Sequence, residues 1–348
     1  MKRVLKIGGL SLVPLGLLAL GLSFRFPETT ESLYAQSVYP QVVRLFAALN
    51  RVSFSWAEVL LASALVAAGI FFRPKKILLT IWCAGGALFW AFLLLWGFNY
   101  ARPPLEQRLG LSPPSTDPRA LLETGIRTAA RTAVLFEALG QDSGPTRLPV
   151  TFSELDRVID QSYRELGLPG DPIQSSTAPA KPLASSTLFS YLGISGIFVP
   201  FTGEPSVNAL QPDAALPLVL AHEKAHQRGI THEGEANFAA FLVCSREGAP
   251  PYLRYAAYLF ATQYLLGEAS RYLPREEVAA AWERLGSGPL ADVRALHDFW
   301  ERYQGVARVI SSEVNDSYLR ALRVPEGVES YGTVVRMLLA LDAKGELT

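Results

Sequence analysis

The chain has 348 residues, enough for two or three compact units at about 100 to 200 residues each. Its 32 basic and 32 acidic side chains cancel, which argues against a nucleic-acid binder driven by phosphate neutralisation. Only 18% of residues are charged against 49% apolar, so apolar character is concentrated somewhere, while two distant cysteines, Cys83 and Cys244, exclude a disulfide framework and a four-thiolate zinc site.

The excess sits in residues 1–100. Between Lys6 and Arg25 run 18 uncharged residues rich in Leu and Gly, the lower limit for crossing a hydrocarbon core of about 30 Å. Val59 to Phe72 is uncharged and extends back to Val52 with Glu58 at an interface, and Ile77 to Ala101 is uncharged for 25 residues. The expectation is a transmembrane region with spans at about 7–24, 52–72 and 77–99, the last carrying Trp82, Trp90 and Trp96. Lys2, Arg3 and Lys6 precede the first span, and Arg73, Lys75 and Lys76 join the second to the third. The positive-inside rule places both clusters in the cytoplasm, and everything after Tyr100 outside. That implies a multi-pass protein of the cytoplasmic membrane, with an extracytoplasmic C-terminal domain and the lipid bilayer as a partner. The basic start also has the look of a secretory signal peptide, but Phe24-Arg25-Phe26-Pro27 is a poor cleavage context.

Arg102-Pro103-Pro104 and Ser112-Pro113-Pro114-Ser115-Thr116-Asp117-Pro118 interrupt helical structure, so 101–118 reads as a stiff linker ahead of a more polar domain at 119–348. Pro118 to Leu139 and Thr151 to Leu166 have helical spacing, the second with Leu155, Val158, Ile159, Tyr163 and Leu166 on one side. Leu168 to Ser185, rich in Pro, Ser and Ala, reads as a loop. Thr187-Leu188-Phe189-Ser190-Tyr191 and Gly196-Ile197-Phe198-Val199-Pro200-Phe201 read as short strands joined at Gly193. Tyr252 to Leu266 is apolar, but only 13 residues, Tyr255 to Gly267, are free of charge, which makes it a core helix rather than a span.

Three of the four histidines, His222, His226 and His232, fall close together; the fourth is His297. The text from Leu216 to Gly229 has Pro217 near its start and Gly229 past its end, the punctuation of a helix. Histidines at i and i+4 share one helix face and offer two nitrogens to one tetrahedral metal, while Glu223 lies where it can take a proton from a metal-activated water. This is the HExxH arrangement of zinc hydrolases. With four histidines in 348 positions, a chance match is expected about 0.003 times.

Three residues compete for the third ligand. Gly229 and His232 complete the string His-Glu-x-x-His-x-x-Gly-x-x-His of the metzincins, but these need a Met-turn and Met337 is the only methionine beyond Met1. If Thr231 caps a new helix, Glu233 and Asn237 stand one turn apart on one face, as suits a ligand and a partner that orients a ligating histidine. Glu235 is the third candidate, or simply a negative charge favoured at a helix N-terminus. The spacing favours Glu233, with His232 and Glu235 left as alternatives.

The stretch Glu233-Gly234-Glu235-Ala236-Asn237-Phe238-Ala239-Ala240-Phe241-Leu242 resembles the second motif of gluzincin-type enzymes, especially ImmA/IrrE-like metallopeptidases. There the Glu four residues before Asn or Asp is the zinc ligand, which implies Glu233. The longer text is similar to a bacterial family of three-span membrane proteins of unknown function with a zinc-peptidase-like domain. That likeness rests on Trp96-Gly97-Phe98-Asn99-Tyr100-Ala101-Arg102-Pro103-Pro104, Pro200-Phe201-Thr202-Gly203-Glu204, Ala221 through Asn237, and Ser330-Tyr331-Gly332. The family text has no histidine where His232 stands.

The fold expectation is therefore a mainly α chain: an N-terminal three-helix transmembrane region, then an α+β zincin-like domain with a small sheet and an active-site helix. The expected function is a membrane-anchored zinc endopeptidase acting on a peptide or protein substrate. His222, His226 and Glu233 would hold Zn2+, Glu223 would be the general base and Asn237 the orienting partner. Gly196 to Pro200 is a candidate edge for binding an extended peptide, and Tyr255 and Tyr331 are candidate transition-state donors. The alternatives are a noncatalytic envelope protein with a structural or sensory zinc site, or a hydrolase of a nonpeptide amide such as a cell-wall crosslink.

Overall fold

The computed structural model describes residues 2–52, 54–71, 77–112, 117–141, 144–173, 177–321 and 331–347. The basic loop Arg73 to Lys76, Pro113 to Thr116, Ser330 and the side chain of Tyr331 lie outside the described residues. The chain begins with α1 (Lys2–Arg25), α2 (Pro27–Thr30), a π-helical stretch Glu31–Val38, α3 (Tyr39–Leu49), α4 (Trp56–Phe71) and α5 (Ile77–Leu95). A 3-10 turn at Gly97–Ala101 and the one-turn α6 (Leu105–Arg108) follow. Next come α7 (Pro118–Glu137), α8 (Phe152–Leu166), β1 (Lys181–Pro182), α9 (Ser186–Tyr191), β2 (Gly196–Val199) and β3 (Glu204–Val207). The rest is helical: α10 (Leu216–Gln227), α11 (Glu233–Ser245), α12 (Pro251–Ala269), α13 (Arg275–Glu283), α14 (Ser287–Glu301), α15 (Val306–Ala321) and α16 (Tyr331–Ala343).

Local chemistry accounts for the central helices. Asp117 caps α7 by accepting from Arg119 N–H at 2.9 Å, with Pro118 in the first turn. At α8, Thr151 and Glu154 form a capping box, Leu155, Ile159 and Tyr163 are fully buried, and Gly167 ends the helix at φ +59°. Gly125 lets α12 close on α7, since a Cβ there would fall 2.5 Å from Leu266 Cδ2. Helices α10 and α11 run through the middle of this core, with Leu220, Ala221 and Ala225 of one and Phe238, Ala239 and Phe241 of the other at most 1% exposed. Each such side chain contributes about 1.5–3 kcal/mol by leaving water when it is as large as Leu or Phe.

The sheet has strand order β1-β3-β2, with β1 parallel and β2 antiparallel to β3. Residues 187–191, expected as a strand, instead belong to α9. The Ser186 and Ser190 hydroxyls donate to the Leu183 and Ser186 carbonyls, and Gly193 at φ +72° lets Ile194 N–H reach back to Phe189 O. That closing turn is open to glycine, so the aromatic and β-branched run is wound rather than extended.

The three-span region is also corrected. Among the described residues no helix is long and apolar enough to cross a membrane. Val52, Phe54 and Ser55 are not helical, and α4 has 16 residues, about 24 Å at 1.5 Å per residue, short of the roughly 30 Å needed. Part of the apolar surface counted toward spans is spent inside the protein, while Leu15, Leu17, Leu18, Leu61, Leu88 and Leu94 stay exposed. Leu12 and Val13 of α1 close on Gly86, Gly16 closes on Phe89, and the Trp90 indole donates to Leu12 O at 2.9 Å. Leu93, Trp96 and Tyr100 are buried in a cluster with Leu20, Tyr34, Tyr39, Val43 and Ile173. The start of α4 is fastened to the sheet, because the fully buried Glu204 of β3 accepts from Trp56 and Ala57 N–H at 3.1 and 2.9 Å. Within 101–112, Ala101, Arg102 and Leu105 are buried against the same body.

Candidate metal centre

Helix α10 carries Pro217 in its first turn and breaks at Gly229, whose φ of +76° only glycine adopts without strain. A Cβ there would also fall 2.9 Å from Asn99 Oδ1. The chain then turns back so that α11 starts beside the histidines. Its N-cap is His232, at φ −81° and ψ 130°, with no side-chain cap bond, so the expected cap at Thr231 is corrected by one residue. Glu233 is thereby the first helical residue.

His222 Nε2 and His226 Nε2 lie 3.0 Å apart, and Glu233 approaches them at 3.1 and 3.7 Å respectively. The three ligand atoms all fall within 4.8 Å of one another. Behind them, His222 Nδ1 is 2.8 Å from Asn237 Oδ1 and His226 Nδ1 is 2.7 Å from Ile230 O. Both acceptors place the proton on Nδ1 and leave the Nε2 lone pairs facing each other, an arrangement that calls for a cation between them. Two imidazoles and a carboxylate fit Zn2+.

The other candidates are placed elsewhere. His232 sets its ring against Tyr100, centroids 6.0 Å apart. Glu235 is buried and accepts from Leu105 N–H at 2.8 Å, fastening the chain after α5. Tyr255 is buried with its hydroxyl donated to Asp292, away from the cluster. Glu223 is 3% exposed, and β2 makes room for it: a Cβ on Gly196 would fall 2.6 Å from Glu223 Oε1. Sequence reasoning placed Gly196 on a strand but missed this close approach, for which the only signal was a glycine at a strand start. A cleft of about 400 Å³ opens on His222, Glu233 and Asn237, walled by Leu218, Val219, Phe260 and Leu296.

Residues 34–339 match the family described as "Protein of unknown function (DUF3810)". The chain belongs to that family. The DUF3810 match spans the whole donor cluster and, in addition, α3, α5 and the segment after α5. No curated protein and no solved structure matches the chain.

Burial pushes the Glu223 carboxyl up to about 7, opposed by His222 and His226 and reinforced by Glu233. For His226 burial opposes the charged form, but the Glu233 carboxylate outweighs it, with help from Glu223 and the Ile230 carbonyl, and lifts the imidazole to about 9. Glu233 itself is held well below the ordinary carboxylate range, because His226 and His222 overcome the penalty of burial. In the metal-free chain the cluster thus holds a proton at neutral pH that a metal must displace. Zinc binding near pH 7 should release about one proton, and apparent affinity should rise with pH until about 9, then level off. Calorimetric titrations in buffers of different ionisation enthalpy read the proton count; heats independent of buffer contradict this.

Proposed function

We propose that this protein is a zinc-dependent endopeptidase, with His222, His226 and Glu233 holding the metal and Glu223 acting as general base. The observation that carries the reading is Glu223: a buried carboxylate next in sequence to one donor and, through Gly196, in contact with an edge strand, yet not itself among the donors. A site that only stapled the fold would have no need of it, and would close four positions with protein ligands rather than three beside a cleft.

When bound, zinc would supply Lewis acidity toward the scissile carbonyl and toward a water molecule. The chain's own groups would do the rest. Glu223, a buried carboxylate next to the first donor, would take the proton that the attacking water gives up and return it to the leaving amine. Asn237 keeps the His222 ring turned toward the cluster. On β2, Asn208 N–H donates to Ser195 O and Gly203 N–H donates to Val199 O. By strand alternation the backbone groups of Gly196 and Phe198 then face the open edge, where an extended peptide would pair. The apolar cleft walls beside His222 suit a side chain of that peptide.

Glu223→Gln keeps size and polarity but removes basicity. Turnover of a peptide substrate should fall about 100-fold to 10,000-fold with zinc content and melting temperature unchanged; a rate within a few-fold of wild type removes Glu223 from the chemistry. Gly196→Ala should push the same carboxylate aside and cost about 10-fold to 100-fold in turnover without loss of zinc. Unchanged kinetics in that variant would show that the strand does not set the position of Glu223.

A further inference from the structure

Helix C-termini leave carbonyl oxygens without intrahelical partners, and at the end of α10 five consecutive carbonyls, from residue 226 to residue 230, all find one. The Trp96 indole donates to His226 O at 2.8 Å, and the Tyr39 hydroxyl donates to Gln227 O at 2.8 Å. The Arg102 guanidinium donates to Arg228 O at 3.4 Å and to Gly229 O at 3.2 Å. The fifth carbonyl, Ile230 O, accepts from His226 Nδ1. Three of these partners come from the first 102 residues, far in sequence from the site. Arg102 is held in turn by Glu31, at 2.7 Å from Nε, and by Gly170 O.

We infer that Tyr39, Trp96 and Arg102 are positioning residues for the metal centre, so that metal affinity is coupled to the docking of α3 and the end of α5 on the site helix. This rests on the reading of His222, His226 and Glu233 as metal ligands. The path is short and covalently continuous. The clamps fix the backbone from residue 226 to residue 229, which aims the Ile230 carbonyl, and that carbonyl sets the tautomer and plane of the His226 ring. Releasing a clamp frees the turn to move and the ring to rotate, without removing any ligand. Trp96 acts twice, since its ring also packs edge-on to His226 with centroids 6.0 Å apart. Anything that lifted α3 or the Trp96 segment from this end of the helix would weaken the hold on the metal.

The test uses the full chain with Tyr39→Phe and Trp96→Phe, which delete one hydrogen-bond donor each and retain an aromatic ring, and with the double variant. Tyr163→Phe is the control, because it deletes an equally buried hydroxyl that donates to Ala221 O of the same helix at 2.7 Å, upstream of both histidines. Zinc affinity by chelator competition and the visible spectrum of the cobalt-substituted protein are read alongside thermal stability. Each clamp variant should lose about 10-fold to 100-fold in zinc affinity and shift the cobalt bands, and the double variant should lose more. Tyr163→Phe should lower stability with affinity and spectrum unchanged. Wild-type affinity and spectrum in both clamp variants, or an affinity loss in Tyr163→Phe as large as theirs, overturns the inference while the metal reading stands. Failure of wild-type protein to bind zinc or cobalt overturns the metal reading, and the inference with it.

Discussion

Two hydrogen bonds behind the histidines, from His222 Nδ1 to Asn237 Oδ1 and from His226 Nδ1 to Ile230 O, decide which ring nitrogens remain for a metal. Most of the surrounding structure keeps those two acceptors in place. Asn237 is fixed by α11, whose Phe238 and Phe241 are sunk in the main core. Ile230 is fixed by the turn at Gly229 and by the side chains that occupy the carbonyls before it. The second acceptor therefore depends on residues from the first third of the chain, and the donor cluster and the N-terminal helices are in direct contact at this point.

The opposite face of α10 is held by charge. Lys224 lies 3.0 Å from Asp156 and 3.6 Å from Asp160, and Arg228 lies 3.1 Å from Asp160 and 2.9 Å from Asp171. Both cations are 1% exposed, and the Arg228 guanidinium also stacks over the Tyr163 ring at 4.7 Å. Burial opposes ionisation of Asp160, yet Lys224 and Arg228 hold its carboxyl below the usual range. Burial instead lifts Asp171 despite its contact with Arg228. Such a network adds little net stability, because desolvation offsets most of the attraction. What it sets is the rotation of α10: the helix cannot turn without stranding a buried charge, so the histidine face stays toward the cleft.

What was legible in the sequence follows from range. The HExxH spacing and the Glu233 to Asn237 spacing are local, so helix geometry brings His222 to His226 and sets Glu233 and Asn237 on one face of α11, while the turn at Gly229 brings that face to the histidines. Which of His232, Glu233 and Glu235 stands beside the histidines turns on where α11 begins, a one-residue matter set by the backbone at His232. Tyr39, Trp96 and Arg102 were not legible as supports, because their partners lie more than a hundred residues away. The reading of spans failed for a related reason. An apolar, aromatic helix has the same pattern whether it faces lipid or protein, and Leu93, Trp96 and Tyr100 face protein.

The most direct test of the account is zinc stoichiometry in purified wild-type protein and three single variants. Wild type should bind one zinc per chain, a count that His222→Ala and Glu233→Ala should each abolish and His232→Ala should leave intact, in keeping with the donor cluster. Zinc retained without Glu233 but lost without His232 would contradict the geometry on which the account is built.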